Sequence, residues 1–480
     1  MTLGQLPPLS GALGRLGLAP DEAHLPAAPP PAPRRAGTQP QAPADVDWQV
    51  VVGLRREAVE LITRAVGEWQ AGRGQPMPDA DRRAQGRAII RSVVHARAQR
   101  LNEAGEALWP LHLETRYADA VESAIFGYGR LQPLFEIPDA ENIEIHGCDT
   151  VTVQYGDGHR ESRPPVADTD EELVDAIRFL GETATPPRPF DDVHPTMTLA
   201  LGDRFRLHAI GFGLSFRPSV VIRQHLLTDV TLDDLATDGM LPHHVARLLR
   251  SAVLARKSIV ISGDQGAGKT TLLRALIAAI HPSERFGTLE TDYELLTHLL
   301  GHRRNILALQ ARVGMGETSG GASVGSYTVA DLIPEALRQN LARIVVGEVR
   351  GSEAGAMFEA MQSGAGCLAT THSHSASSTI DRLAARVAQG RVLSVDDAMH
   401  QIAHHLHFIV HVTLQDDAWR GGVRTRYVSE VRQLTGAVEA GRPVTHLVYR
   451  APGASGVEVF QPEATMAAEL AQFDRSGSWT

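Results

Sequence analysis

Ser258-Ile259-Val260-Ile261-Ser262, followed at once by Gly263-Asp264-Gln265-Gly266-Ala267-Gly268-Lys269-Thr270-Thr271, is the stretch on which the fold turns. The first five residues form an apolar run of strand type. The next nine satisfy G-x-x-x-x-G-K-[ST], and Leu272, Leu273, Leu276, Ile277 and Ile280 then keep helical spacing until Pro282. Strand, glycine loop and helix in that order are the context this motif requires. Its residue types follow from phosphate chemistry. Glycines let the backbone curl until successive N–H groups converge on phosphate oxygens, and the helix N-terminus adds partial positive charge. Gly263, Gln265, Gly266, Ala267, Gly268, Lys269, Thr270 and Thr271 are therefore expected to hold ATP, with Lys269 on the β and γ phosphates. The Thr270 hydroxyl is a hard oxygen ligand suited to Mg²⁺. An ordinary glycine-rich turn is the bland alternative.

A phosphate loop does not by itself imply hydrolysis, which needs a group to direct water. Arg343-Ile344-Val345-Val346-Gly347-Glu348 reads as a buried strand ending in a carboxylate, and strand C-termini are where parallel sheets place ligands. Glu348 is expected to orient water or to hold Mg²⁺ through one, with an ion pair to Arg350 as the structural alternative. Gly287-Thr288-Leu289-Glu290-Thr291-Asp292-Tyr293-Glu294 sets three carboxylates beyond another strand, and Leu368-Ala369-Thr370-Thr371-His372 ends one more in an imidazole. Taken alone, the acids fit a solvated loop and the histidine a structural role.

Working outward, residues 1 to 46 hold 10 of the 28 prolines and show no apolar period, so a disordered tail is expected. Residues 47 to 120 carry amphipathic helical patterns, the second rich in arginine from Arg82 to Arg100. Residues 121 to 225 mix strand alternation with one helix and read as an α+β domain. Residues 226 to 240 form a linker, and from 241 to 435 short apolar strands alternate with helices, which means a parallel sheet. Residues 436 to 480 remain as a C-terminal segment. The overall class is α/β.

Composition narrows the partners. At 480 residues the chain exceeds one ordinary core, and 43% hydrophobic with 21% charged residues is a globular balance. The net charge of −10 gives no reason to expect nucleic acid. Two cysteines, Cys148 and Cys367, build neither a disulfide framework nor a four-cysteine zinc site. With no run of about 18 apolar residues and no signal-peptide pattern, a cytoplasmic protein is expected.

The order of motifs is more specific than any one of them: phosphate loop, acidic box, Val345-Val346-Gly347-Glu348-Val349-Arg350-Gly351, then Ala369-Thr370-Thr371-His372. Together they resemble the type II and type IV secretion ATPase family, most closely its CpaF-like branch, the motors of Tad (Flp) pili. Tyr327 to Leu332 with Ala336-Leu337-Arg338 is similar to the segment before that branch's Walker B strand. Gly127-Tyr128-Gly129-Arg130-Leu131-Gln132-Pro133-Leu134 resembles the entry to its N-terminal domain, so the likeness covers about residues 120 to 435. The resemblance implies a RecA-like ATPase domain preceded by a smaller PAS-like domain and a helical extension. It implies a homohexamer acting on inner-membrane platform proteins, peripheral at the inner face of the membrane. It also implies catalytic roles for Arg206 and Arg223 on the phosphates, and supporting roles for Glu290 and His372 beside Glu348.

The sequence departs from that pattern in places. The usual Ile-Glu-Asp box is Leu289-Glu290-Thr291, which moves the next acid to Asp292, and the arginine-rich run before the Walker B strand shrinks to Arg338 and Arg343. Two rival readings stand beside the motor: a conjugation-type DNA-transfer ATPase, and a nucleotide-dependent scaffold with little turnover.

Overall fold

The computed structural model describes residues 46–474 apart from 185–186, 302, 304, 313–317, 320–321, 324, 352, 363, 365, 391–392 and 453–457. All but the last residue of the expected tail lies outside the described residues. Three helices come first, α1 (Trp48–Arg73), α2 (Asp79–Glu103) and α3 (Leu111–Phe126). Apolar residues at helical spacing hold them together: Val51, Leu54, Ala58 and Ile62 of α1, Ile90, Val93, Val94, Ala98 and Leu101 of α2, and Tyr117, Val121 and Ala124 of α3. Gly86 permits the closest approach, because a Cβ there would lie 2.5 Å from the Phe126 ring. The arginine-rich face of α2 is partly engaged within the bundle, Arg87 with Glu122 at 2.6 Å and Arg100 with Glu57 at 3.1 Å. Helix α3 runs through residue 120, so the chain has no break at the boundary expected there.

After the short helix α4 (Gln132–Phe135) comes a six-stranded antiparallel sheet. Its strands are β1 (Ala140–His146), β2 (Thr150–Tyr155), β3 (Arg160–Arg163), β4 (Thr196–Leu201), β5 (Phe205–Ile210) and β6 (Ser219–Gln224), in the order β3-β2-β1-β6-β5-β4. Alternate residues such as Ile143, Ile145, Val151, Val153, Leu207, Ala209, Val220 and Ile222 point to one face. There they pack on Leu173, Ile177 and Leu180 of α5 (Asp170–Thr183). The Thr169 side chain caps α5 by accepting from the Glu172 N–H.

The expected linker is not all linker. Residues 232–237 form α6 (Leu232–Thr237), closed by a Thr231/Asp234 capping box, and Leu232, Leu235 and Met240 are buried in the core of the second sheet. The apolar residues of a nominally polar connector decide this, which leaves about 225–229 to join the sheets.

The second sheet takes α7 (His243–Leu254), β7 (Ile259–Gly263), α8 (Lys269–Ala278), β8 (Phe286–Glu290), β9 (Ile306–Gln310), the two-residue strands β10 (Thr318–Ser319) and β11 (Ala322–Ser323) off to the side, α9 (Val329–Leu337), β12 (Arg343–Val346), α10 (Glu353–Gln362), β13 (Gly366–His372), α11 (Ala376–Gln389), α12 (Val395–His405) and β14 (Phe408–Asp416). Strands β14-β7-β13-β12-β8-β9 are parallel and adjacent in that order. Their near-continuous apolar runs fit burial on both faces. Ile259, Ile261, Val345 and Leu368 face α7 and α8, while Val260, Ile344, Val346 and Ala369 face α9 to α12.

Three antiparallel strands extend this sheet beyond β14: β15 (Arg424–Glu439), β16 (Arg442–Arg450) and β17 (Val459–Phe460), before α13 (Ala464–Ala471). The expected end of the ATPase region at residue 435 thus falls inside β15. An antiparallel strand with only scattered buried positions, such as Val428, Val431 and Leu434, lacks the apolar run that marks the parallel strands.

Candidate nucleotide site

The glycine loop leaves the C-terminal end of β7, the middle strand of the nine-stranded sheet, flanked by β14 and β13. Gly263 passes so close to β14 that a Cβ would meet the Val412 carbonyl oxygen at 2.3 Å. Gly268 has φ +93°, a left-handed conformation that strains any side chain, and it opens α8, whose free N–H groups and dipole favour an anion. Lys269 is buried. Its Nζ donates to the carbonyls of Gly263 (3.1 Å) and Asp264 (2.9 Å) and lies 3.2 Å from His372 Nδ1. Burial pushes its pKa down to about 8. Ala267 is buried, Thr270 and Thr271 are half-buried, and Gln265 is exposed.

Strand register explains why His372 is there, since its Cα is the pairing partner of Gly263 across β13 and β7. On its other side His372 Nε2 lies 3.0 Å from Glu348 Oε1, so one imidazole spans the lysine and the carboxylate. Glu348 also pairs with Arg350 at 2.6 Å, the contact foreseen as its structural alternative. Burial opposes ionisation of Glu348, but His372 and Arg350 outweigh it and hold the carboxyl down at about 2. The group is ionised at neutral pH and able to accept a hydrogen bond from water.

Glu290, at the end of β8, does something the motif order did not suggest. Its Oε1 accepts the backbone N–H groups of Glu294 (2.9 Å) and Leu295 (2.8 Å), fixing the loop after the strand. Its Oε2 is buried with no hydrogen-bond partner among the described residues. Burial, outweighing the two N–H donors, pushes its pKa up to about 7. Glu290, Asp292, Glu348 and Thr270 share one cleft.

Arg206 reaches that cleft from β5 of the other sheet and pairs with Glu294. Arg223 lies directly opposite it across β5 and β6. Like charges facing across strands cost stability, and Arg223 acts on Lys269 and Arg274 while making no ion pair among the described residues. Glu294 was read only as one of three acids beyond a strand, and Arg274 escaped the sequence reading. Arg274 Nη1 donates to the Leu227 carbonyl at 2.7 Å and Nη2 to that of Glu294, tying α8 to both the connector and the acidic loop. Its one signal is position, an arginine interrupting Leu272-Leu273-Arg274-Ala275-Leu276-Ile277. A glycine cradle around buried Lys269, the guanidinium groups of Arg206 and Arg350 in the adjoining cleft, and a carboxylate oxygen left unpaired among the described residues fit a polyphosphate carrying a hard divalent ion.

Residues 191–417 match the family model described as Type II/IV secretion system protein. A Mycobacterium tuberculosis (strain ATCC 25618 / H37Rv) protein named for conjugal transfer is 31% identical over 337 residues, covering 67% of this chain and 89% of that protein. The chain belongs to the type II/IV secretion system protein family. As a member it is a P-loop ATPase. The type IV secretion system protein VirB11 of Brucella suis biovar 1 is 30% identical over 281 residues, 54% of this chain and 68% of its own. The conjugal transfer protein TrbB of Rhizobium radiobacter is 32% identical over 170 residues, 35% of this chain and 48% of its own. Among solved structures, the pilus retraction motor PilT with ADP has 17% identity and a TM-score of 0.42, covering 72% of this chain and 86% of its own. Superposition that loose adds nothing to the family assignment, which rests on sequence.

Proposed function

We propose that this ATPase is the motor of a pilus or secretion system in the CpaF-like branch, working as a homohexamer on a membrane platform at the inner face. The observation that carries the reading is the bridge from Lys269 through His372 to Glu348, with Arg206 brought to the same cleft from a different sheet. A site completed by two sheets senses the γ-phosphate as a change in how those sheets sit, which is what a motor needs. The parallel order β14-β7-β13-β12-β8 supports a RecA-like ATPase domain, spanning about 241 to 460 with its antiparallel extension. We assign the PAS-like part of this reading to the six-stranded antiparallel sheet before it.

In the proposed chemistry Lys269 and the loop N–H groups bind the phosphates. Glu348 orients the attacking water, and His372 keeps carboxylate and lysine in register. Arg206 and Arg223 meet charge that builds on the transferred phosphoryl group. Thr270 and Glu348, directly or through water, are the residues suited to Mg²⁺, which neutralises phosphate charge when bound. No helix among the described residues is long and apolar enough to cross a membrane.

The relatives named for conjugal transfer favour one second reading, a DNA-transfer ATPase. Phosphate release measured with and without DNA across a salt series separates the two. The motor reading predicts turnover that DNA leaves unchanged. DNA stimulation that fades as salt rises would overturn it in favour of DNA transfer.

A further inference from the structure

Strand β15 begins with two arginines on one face, Arg424 and Arg426, and both sit against Gly266 of the glycine loop. Arg426 Nε donates to the Gly266 carbonyl at 2.7 Å. Its Nη2 grips both oxygens of Glu141, at 2.8 and 2.7 Å, and its Nη1 donates to the Gly156 carbonyl at 3.1 Å. Glu141 lies on β1 and Gly156 just beyond β2, so one guanidinium joins the loop of the ATPase sheet to the N-terminal sheet. Around it the Arg424 N–H donates to the Asp157 carbonyl at 3.0 Å. The Arg424 side chain lies 3.3 Å from Asp416 and 3.6 Å from Glu141.

The geometry of a peptide bond makes the Gly266 contact consequential. The Gly266 carbonyl and the Ala267 N–H share one rigid plane and point in opposite directions. Holding the oxygen outward therefore turns the Ala267 N–H into the loop, toward the position of a bound phosphate. Its internal contact there, with the Asp264 carbonyl, is long at 3.3 Å and easily exchanged. Gly266, at φ +75°, has the freedom to let that plane swing, so something must fix it. A forked, charge-assisted pair with Glu141 fixes the arginine in turn, and an ammonium group would not reproduce it.

We propose that Arg426 is a positioning residue for the phosphate loop, aligned by Glu141, so that docking of the N-terminal sheet on the β14–β15 hairpin sets part of the nucleotide affinity. The proposal rests on the nucleotide-site reading above. Movement of the N-terminal sheet then loosens the loop as well as withdrawing Arg206, which couples nucleotide release to domain motion through a contact separate from the γ-phosphate.

The test uses the full chain with a fluorescent ADP analogue, steady-state ATP hydrolysis and hydrogen exchange over residues 263–268. Glu141→Gln is nearly isosteric and touches no loop atom, and Arg426→Lys keeps the charge without the fork. Each is expected to weaken analogue binding about tenfold and raise KM by a similar factor, with kcat within about twofold, as loss of a charge-assisted hydrogen bond implies. Exchange over 263–268 rises in both, and the double variant binds no worse than the weaker single one. Affinity and exchange within twofold of wild type in Glu141→Gln overturn the proposal, as does a double variant about a hundredfold weaker, the sum of independent effects. Lys269→Ala separates the two layers. If it binds the analogue as well as wild type, the nucleotide-site reading itself fails; if it loses binding while Glu141→Gln is unaffected, only the Arg426 proposal falls.

Discussion

Glu290→Gln should stabilise the nucleotide-free protein progressively as pH rises, which is unusual for removing an acid from an active-site cleft. Glu290 is 3% exposed, its Oε1 already accepts two backbone N–H groups, and its Oε2 has no partner among the described residues to offset ionisation. Its folded pKa is raised from 4.5 to about 7. The neutral form is therefore the one the fold prefers. Stability from this group is complete below pH 4.5 and is lost as pH climbs through 7. A rise of 7 − 4.5 pH units, at 1.36 kcal/mol each, makes the loss at most about 3 kcal/mol. Glutamine keeps an oxygen for the two N–H donors and cannot ionise, and any cost of its amide is the same at every pH. The gap between variant and wild type should thus widen from pH 5 to pH 8 by up to about 3 kcal/mol, which is several degrees in Tm. Paired calorimetric scans without nucleotide or magnesium measure it, since every other titrating group is common to both proteins. A gap that stays constant with pH, or a wild type that gains on the variant as pH rises, would refute the reasoning.

Two further expectations follow from the same cleft. Arg206→Ala frees Glu294 and removes a cation from the transferred phosphoryl group, so kcat should fall by on the order of 10³ while ADP affinity stays within about threefold; steady-state turnover and ADP titration read the two apart. Because unbound Lys269 has its pKa lowered to about 8, nucleotide binding above that pH requires proton uptake. Affinity should then weaken by up to about tenfold per pH unit above 8. Calorimetric titration in two buffers of different ionisation enthalpy would show proton uptake at pH 9 that is absent at pH 7.

What the sequence made legible was local. The glycine loop, Glu348 and His372 could be read because each is a run of consecutive residues ending a strand, and strand pairing then brought the three together without further information. Glu290 was found in the same way, but its grip on the following loop depends on a backbone turn that no motif encodes. Arg206 and Arg223 were reached through resemblance alone, since an arginine on an antiparallel strand carries no signal of what it faces. Arg426 was not reached at all. It meets Gly266 across 160 positions of sequence and Glu141 across 285, contacts that exist only once two sheets dock. The long strand β15 was hidden because its charged and apolar residues alternate irregularly, and the connector's helix α6 because Asp and Thr, read as linker residues, were caps.

Single-turnover phosphate release with Glu348→Gln tests the central claim most directly. Glu348 pairs with His372 and Arg350 and makes no hydrogen bond to the glycine loop among the described residues. The variant should therefore retain magnesium-ATP at near wild-type affinity while the chemical step slows by on the order of 10² or more. A variant that holds ATP and releases phosphate at the wild-type rate would contradict the account.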